Sequence, residues 1–219
     1  MLCAPAFGQM IAKDWLERGN ALSFENKYNE SIDAFNEAIE LNPQYVEAWN
    51  NKGLALTNLG KYDEAIKAYD KAIEIDPKWA AIWTNEGLAL YGQGKYDEAI
   101  KVYDRAIEID PQYVDAWYNK GVVLSVQGKY NEAIKSYDIA IELNPEDADA
   151  WFNKGLDLYY QGKYDESIKA NDRSIELDPS AVDAWTNKGL ALVQQGNYDE
   201  ALRAFNNAIE FNPQYAKAW

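Results

Sequence analysis

Five asparagines, Asn51, Asn85, Asn119, Asn153 and Asn187, recur every 34 residues, each inside a stretch of helix-forming composition such as AWNNKGLAL at 48–56. Asparagine disfavours helix by a few tenths of a kcal/mol (about 0.5) relative to alanine, so its return needs a reason. A carboxamide both donates and accepts, and a row of them can hydrogen-bond the N–H and C=O groups of a partner chain. It cannot act as an acid, a base or a nucleophile. Groups that can are scarce. The chain has no histidine, so the commonest general base and transition-metal ligand are missing. Carboxylates abound but fall on solvated faces or in first helical turns. No Gly-rich phosphate loop, metal-ligand cluster or nucleophile–base pair is present. The chemistry to expect is recognition, with neither catalysis nor a cofactor.

Charge and composition narrow the partner. Of 219 residues, 36 are acidic and 21 basic, giving a net charge of −15. Phosphate backbones would be repelled, which argues against nucleic acid. The charge also aids solubility, and it favours neutral or basic partners. A hydrophobic content of 47% is that of a globular chain. No apolar run approaches the roughly 18–20 residues that span a bilayer. Cys3 is the lone cysteine, so no intramolecular disulfide is expected. Residues 1–11 read as a tail whose Ala4-Pro5-Ala6 resembles the end of an export signal lacking its charged and apolar parts. Cytoplasmic and exported locations both stay open.

The period of 34 extends well beyond the asparagines. Trp15, Trp49, Trp83, Trp117, Trp151, Trp185 and Trp219 share it, as do Gly19, Gly53, Gly87, Gly121, Gly155 and Gly189. Six units follow, at 12–45, 46–79, 80–113, 114–147, 148–181 and 182–215, with 216–219 opening a seventh. Each reads as two helices. Asn or Asp before every proline of the repeats (Asn42-Pro43, Asp76-Pro77) suggests an N-cap followed by proline at the first helical position. The first helix, A, should stop at Gly60, Gly94, Gly128, Gly162 or Gly196, and at Asn26 in the first unit, where a left-handed residue is wanted. The second helix, B, reads YDEAIKAYDKAIEI at 62–75, with an apolar stripe of Tyr62, Ala65, Ile66, Tyr69, Ala72 and Ile73.

Trp49, Gly53, Ala65, Tyr69, Ala72 and Pro77 stand where the tetratricopeptide pattern has its Trp, Gly, Ala, aromatic, Ala and Pro, and residues 12–215 resemble that family throughout. Two departures recur. The family leucine is Arg18, Lys52, Glu86, Lys120, Lys154 or Lys188, and the family tyrosine is Leu22, Leu56, Leu90, Leu124, Leu158 or Leu192. A long charged side chain can lay its stem on a core and keep its head wet, so the fold stands. The resemblance implies an all-α solenoid, a superhelix of stacked antiparallel helix pairs with a concave groove lined by the A helices.

Turning about 100° per residue separates the faces of helix A. Positions 4, 8 and 11 of a unit (Trp49, Gly53, Leu56) point together toward helix B. Position 9 lies opposite, yet carries Leu54, Leu88, Val122, Leu156 and Leu190. Positions 5, 12 and 13 add Tyr91, Tyr118, Phe152, Tyr159 and Tyr160, and position 6 is the asparagine row. A merely solvated face would be charged. Apolar pockets interleaved with amides are what peptide recognition uses. Two plainer readings compete: the asparagines tie neighbouring A helices together, and crowding between A helices part-buries position 9. The resemblance favours contact with peptide, since position 6 asparagines commonly touch it in the family. Glu47, Asp115, Asp149 and Asp183 at position 2 either answer the helix dipole, worth about 0.3–1 kcal/mol, or select basic residues in the partner. They replace the basic clamp with which some family members hold a C-terminal carboxylate. Lys52 reads as a wet neighbour of acids on adjacent helices.

The fifth unit carries Asp157, Ser167, Asn171 and Ser174 where its siblings have apolar or small residues, which predicts a weaker seam around its helix B. The last helix B should expose Ala201, Phe205 and Ala208, covered only by the stub around Trp219, so that either the natural chain continues or two molecules stack end to end. The expected function is a non-catalytic scaffold that holds a protein or peptide segment with apolar side chains in its groove. The alternative is a self-assembling structural segment of a longer protein.

Overall fold

The computed structural model describes residues 10–214, and their regular structure is twelve α-helices. The tail at 1–9 and the stub at Trp219 lie outside the described residues. Two compact units divide the chain, one ending at Pro111 and the other beginning at Gln112. The first holds α1 (Ala12–Phe24), α2 (Tyr28–Leu41), α3 (Val46–Asn58), α4 (Tyr62–Ile75), α5 (Ala80–Gly92) and α6 (Tyr96–Ile109). The second holds α7 (Val114–Val126), α8 (Tyr130–Leu143), α9 (Ala148–Tyr160), α10 (Tyr164–Leu177), α11 (Val182–Gln194) and α12 (Tyr198–Phe211). Within each unit the odd-numbered helices pack on the even-numbered ones that flank them and on one another, giving an all-α stack of antiparallel pairs.

Local rules set the ends of each helix. Gly60 adopts φ 71°, and Asn26 takes the same left-handed role at φ 58°. Gly60 N–H then donates to Thr57 O at 2.9 Å and Lys61 N–H to Leu56 O at 2.9 Å. These two bonds satisfy carbonyls that the end of α3 would otherwise orphan. Helix starts differ from the expectation. Asn42 and Pro43 stand outside α3, which begins at Val46. The Asn42 side chain accepts from Gln44 N–H at 3.1 Å, and its carbonyl accepts from Tyr45 N–H at 3.0 Å, so the pair makes a turn. Asn-Pro encodes both motifs, and the chain reversal between helices selects the turn. The Pro43 carbonyl is then capped by the Trp49 indole N–H at 3.0 Å, a bond repeated by Trp83, Trp151 and Trp185.

Inside five of the six pairs a glycine admits an aromatic ring. A Cβ on Gly53 would lie 2.5 Å from Tyr69 Cε1, so only hydrogen fits there. Tyr69, Tyr103, Tyr137 and Phe35 fill this slot in four repeats and are essentially sealed. The fifth repeat has Asn171 instead. Its amide donates to Ser167 O at 2.7 Å, and Ser167 Oγ donates to Gly155 O at 2.7 Å. Asn171 Oδ1 and Ser174 Oγ remain buried without a partner. Unpaired buried acceptors cost about 1–3 kcal/mol each. Amide exchange in α10 is therefore expected to run about tenfold or more faster than in α4, and equal protection at 165–177 and 62–75 would contradict this.

At α12 the stripe expected to be bare is covered. Ala201, Ala204 and Ala208 are buried, and the Phe205 ring lies where a Cβ on Gly189 would sit. The exposed apolar residues are Tyr198, Leu202 and Phe211, at 69%, 61% and 50%.

Candidate functional site

The A-helix face is described unit by unit. In the first, the asparagines form a relay. Asn85 Nδ2 donates to Asn50 Oδ1 at 2.9 Å, Asn50 Nδ2 to Asn51 Oδ1 at 3.0 Å, and Asn51 Nδ2 to Asn20 Oδ1 at 2.8 Å. The chain of amides runs across α5, α3 and α1. Asn20 and Asn50 were not singled out by sequence, although Asn20 sits at position 9 of its unit and Asn50 at position 5. Leu54 and Leu88 flank the relay and are only partly buried. Tyr91 leans on Tyr96 with ring centroids 5.7 Å apart. Glu47 is exposed in the first turn of α3.

In the second unit the same positions carry different partners. Asn153 Nδ2 donates to Tyr118 Oη at 3.0 Å and to Asp149 O at 2.9 Å. Burial, with Asp149 and Asp147 nearby, pushes the Tyr118 hydroxyl up to about 12, so it stays a protonated donor for a further acceptor. Asn187 is 3% exposed, and both its amide nitrogen and oxygen lack a partner. Register explains this: the residue that offered oxygen from the preceding repeat, Asn50 or Tyr118, is here Phe152. Asn119 donates to nothing among the described residues of its own unit. Val122 and Leu156 are partly buried, and Leu190 is 40% exposed. Tyr160 is 58% exposed and stacks on Tyr130 at 5.3 Å, while Tyr159 meets both Tyr160 and Tyr164. Asp115, Asp149 and Asp183 stand exposed in the first turns of α7, α9 and α11.

The asparagine row thus divides. Asn51, Asn85 and Asn153 bond between neighbouring A helices, Asn187 is buried and unpaired, and Asn119 is uncommitted within its unit. The apolar row at position 9 is not sealed by its own chain.

Position 7 has a separate job. Lys52, Lys154 and Lys188 lie over the rings of Trp49, Trp151 and Trp185 at 5.2–5.5 Å, a favourable contact with the ring face. Lys154 Nζ also reaches Asp138 at 2.6 Å and Lys188 Nζ reaches Asp172 at 2.5 Å, each on helix B of the preceding repeat. Burial lowers the Lys52 ammonium from its ordinary value, with Glu64 partly opposing. Among the described residues no group of three or more His, Cys, Asp or Glu side chains could hold a metal ion, and no helix is long and apolar enough to cross a membrane.

Known proteins share this arrangement. Models of the tetratricopeptide repeat match at 46–78 and 114–147 and at 152–216, and a TPR repeat model matches at 19–60 and 87–125. Curated proteins give no match. Among solved structures, YrrB, described as a TPR protein with an unusual peptide-binding site, is 28% identical with a TM-score of 0.70 over 85% of this chain and 96% of its own. MamA is 28% identical with a TM-score of 0.70, over 78% of this chain and 94% of its own. PilW, a type IV pilus biogenesis factor, is similar in fold with a TM-score of 0.84 at 18% identity, over 96% of this chain and 98% of its own. Family models spread along the chain, helix pairs stacked in each unit and the glycine–aromatic slot agree: the chain belongs to the tetratricopeptide repeat family, whose members are typically protein-interaction scaffolds.

Proposed function

We propose that the chain is a non-catalytic scaffold that holds a peptide segment against its A-helix face. The segment is neutral or basic and carries apolar side chains. The carrying observation is position 9 within each unit: Leu54 and Leu88 stay partly open in the first, and in the second Val122 and Leu156 stay partly open and Leu190 is 40% exposed. Soluble surfaces rarely spend such a row on water. In the second unit the Asn119 amide is uncommitted among that unit's described residues, and the unpaired amide of Asn187 would gain from any donor or acceptor that reached it. Exposed Asp115, Asp149 and Asp183 border the same face and favour a basic residue. YrrB's described peptide-binding site lends support at 28% identity.

Peptides selected on the wild-type chain from a display library provide the test. Asn119→Ala breaks no bond within its unit, so the fold should survive while affinity falls about 5- to 100-fold, the equivalent of about 1–3 kcal/mol. Leu156→Asp should weaken binding at least as much, and Leu202→Asp on α12 should not. Unchanged affinity in both groove variants would overturn the reading.

A second reading rests on α12. Tyr198, Leu202 and Phe211 are exposed on one helix, which favours contact with another copy or a further segment. Light scattering on Leu202→Asp against wild type distinguishes this: a monomer at every concentration for both removes it.

A further inference from the structure

The position 7 cation has one exception. Within a unit, a step of 16 residues back along the chain leads from Lys52, Glu86, Lys154 and Lys188 to helix B of the preceding repeat. From Lys154 and Lys188 it leads to Asp138 and Asp172, and both pairs are closed ion bridges. From Lys52 it leads to Asn36, which carries no charge. From Glu86 it leads to Asp70. The third repeat therefore presents an acid to an acid where the fifth and sixth join a base to an acid.

The surroundings relieve the pair only at its aspartate, which Lys71 lowers in part. Glu86 is 8% exposed on α5, and it makes no hydrogen bond or ion pair among the described residues. On α4 it faces Asp70, and the buried Tyr69 hydroxyl feels its charge. Lys71, beside Asp70, is bridged to Glu74 at 2.6 Å. Neither α3 nor α6 brings a charge that acts on Glu86. Burial, and secondarily Asp70, hold the Glu86 carboxyl up to about 7, and burial with Glu74 raises Asp70 as well.

We propose that the Glu86–Asp70 pair makes the seam between α4 and α5 proton-dependent, so that the second and third repeats hold together more firmly in mild acid than above neutrality. The sign follows from linkage. A carboxyl whose folded pKa is raised binds its proton more tightly in the native state than in the unfolded one. Its contribution is complete below the ordinary glutamate value and is lost as pH rises through neutrality. The consequence for the groove, which rests on the peptide reading above, is that α5 also carries Asn85 and Leu88. A loosened α5 breaks the amide relay to α3 and disorders that wall.

The test compares wild type with Glu86→Gln from pH 5 to pH 8, reading amide exchange in α4 and α5 after correction for intrinsic rates. Wild-type protection should fall about tenfold or more over this range while the Gln variant stays flat. The melting temperatures should agree near pH 5 and separate by about 5 °C or more at pH 8, with the variant higher. Glu86→Lys should raise stability at pH 8 further, since it rebuilds the bridge seen at Lys154. Parallel profiles for wild type and Glu86→Gln overturn the proposal. If neither variant folds, the wild-type Glu86 carboxyl can be titrated by carbon NMR. A midpoint near neutrality supports the proposal, and one in the ordinary glutamate range overturns it. These readouts involve no peptide, so failure of the seam and failure of the binding reading are separable.

Discussion

Tyr69→Ala should cost the first unit about 3–5 kcal/mol, the range for removing a large buried aromatic whose site cannot collapse. Tyr69 is fully buried, and its hydroxyl lies 3.2 Å from Thr57 Oγ1. Its ring occupies the space a Cβ on Gly53 would need, 2.5 Å away at Cε1. The two residues must therefore be coupled, and the coupling predicts a change of sign. Alone, Gly53→Ala should destabilise by about 1–3 kcal/mol, because a sealed ring has nowhere to move. With Tyr69→Ala already in place the clash is gone and a cavity remains. The same Gly53→Ala change should then stabilise by up to about 1 kcal/mol through helix propensity alone. Exchange-derived stabilities of α3 and α4 in the four proteins of this cycle provide the measurement. Additive effects would show that ring and glycine do not meet as described.

Glycine and tryptophan at a fixed period made the helix pairs legible, because those residues act locally or within one pair. The stop at Gly60 needs only a left-handed residue, and sequence supplies it. The start at Val46 was misplaced because Asn-Pro specifies a cap and a turn equally well, and only the packed chain reversal chooses. The A-helix face was legible as apolar and amide-bearing. Its division was not, since Asn187 loses its partner to Phe152, one repeat earlier. Lys52 has an acid, Glu64, within electrostatic reach, but it lies half-buried over the ring of Trp49 and is not the wet neighbour its charge suggested. Glu86 looked like a variant of its lysine siblings. Its meaning appears only when the fold brings Asp70 across from the preceding helix.

Replacing Asp157 by alanine should stabilise the second unit at pH 8 by about 2 kcal/mol, and by almost nothing near pH 4. Asp157 is fully buried where the sibling repeats carry Ala55, Ala89 and Ala191. Ser125 Oγ on α7 donates to its Oδ1 at 2.6 Å, and Oδ2 has no partner. Burial pushes this carboxyl up to about 6 against the lowering effect of Ser125. A rise from the ordinary aspartate value to about 6 corresponds to about 3 kcal/mol, present in full below the ordinary value and lost as pH rises through 6. Alanine removes that loss. It leaves Ser125 without Asp157, at about 1 kcal/mol, although the serine can turn back to a carbonyl of its own helix as Thr57 does to Gly53 O at 2.9 Å. Repeat arrays do not unfold in one step, so amide exchange in α7 and α9 is the proper readout. Here the seams of the two units separate cleanly: Asp157→Ala should flatten the pH profile of α7 and α9 and leave that of α4 and α5 unchanged. A variant no more stable than wild type at pH 8 would mean that the buried carboxylate is solvated after all.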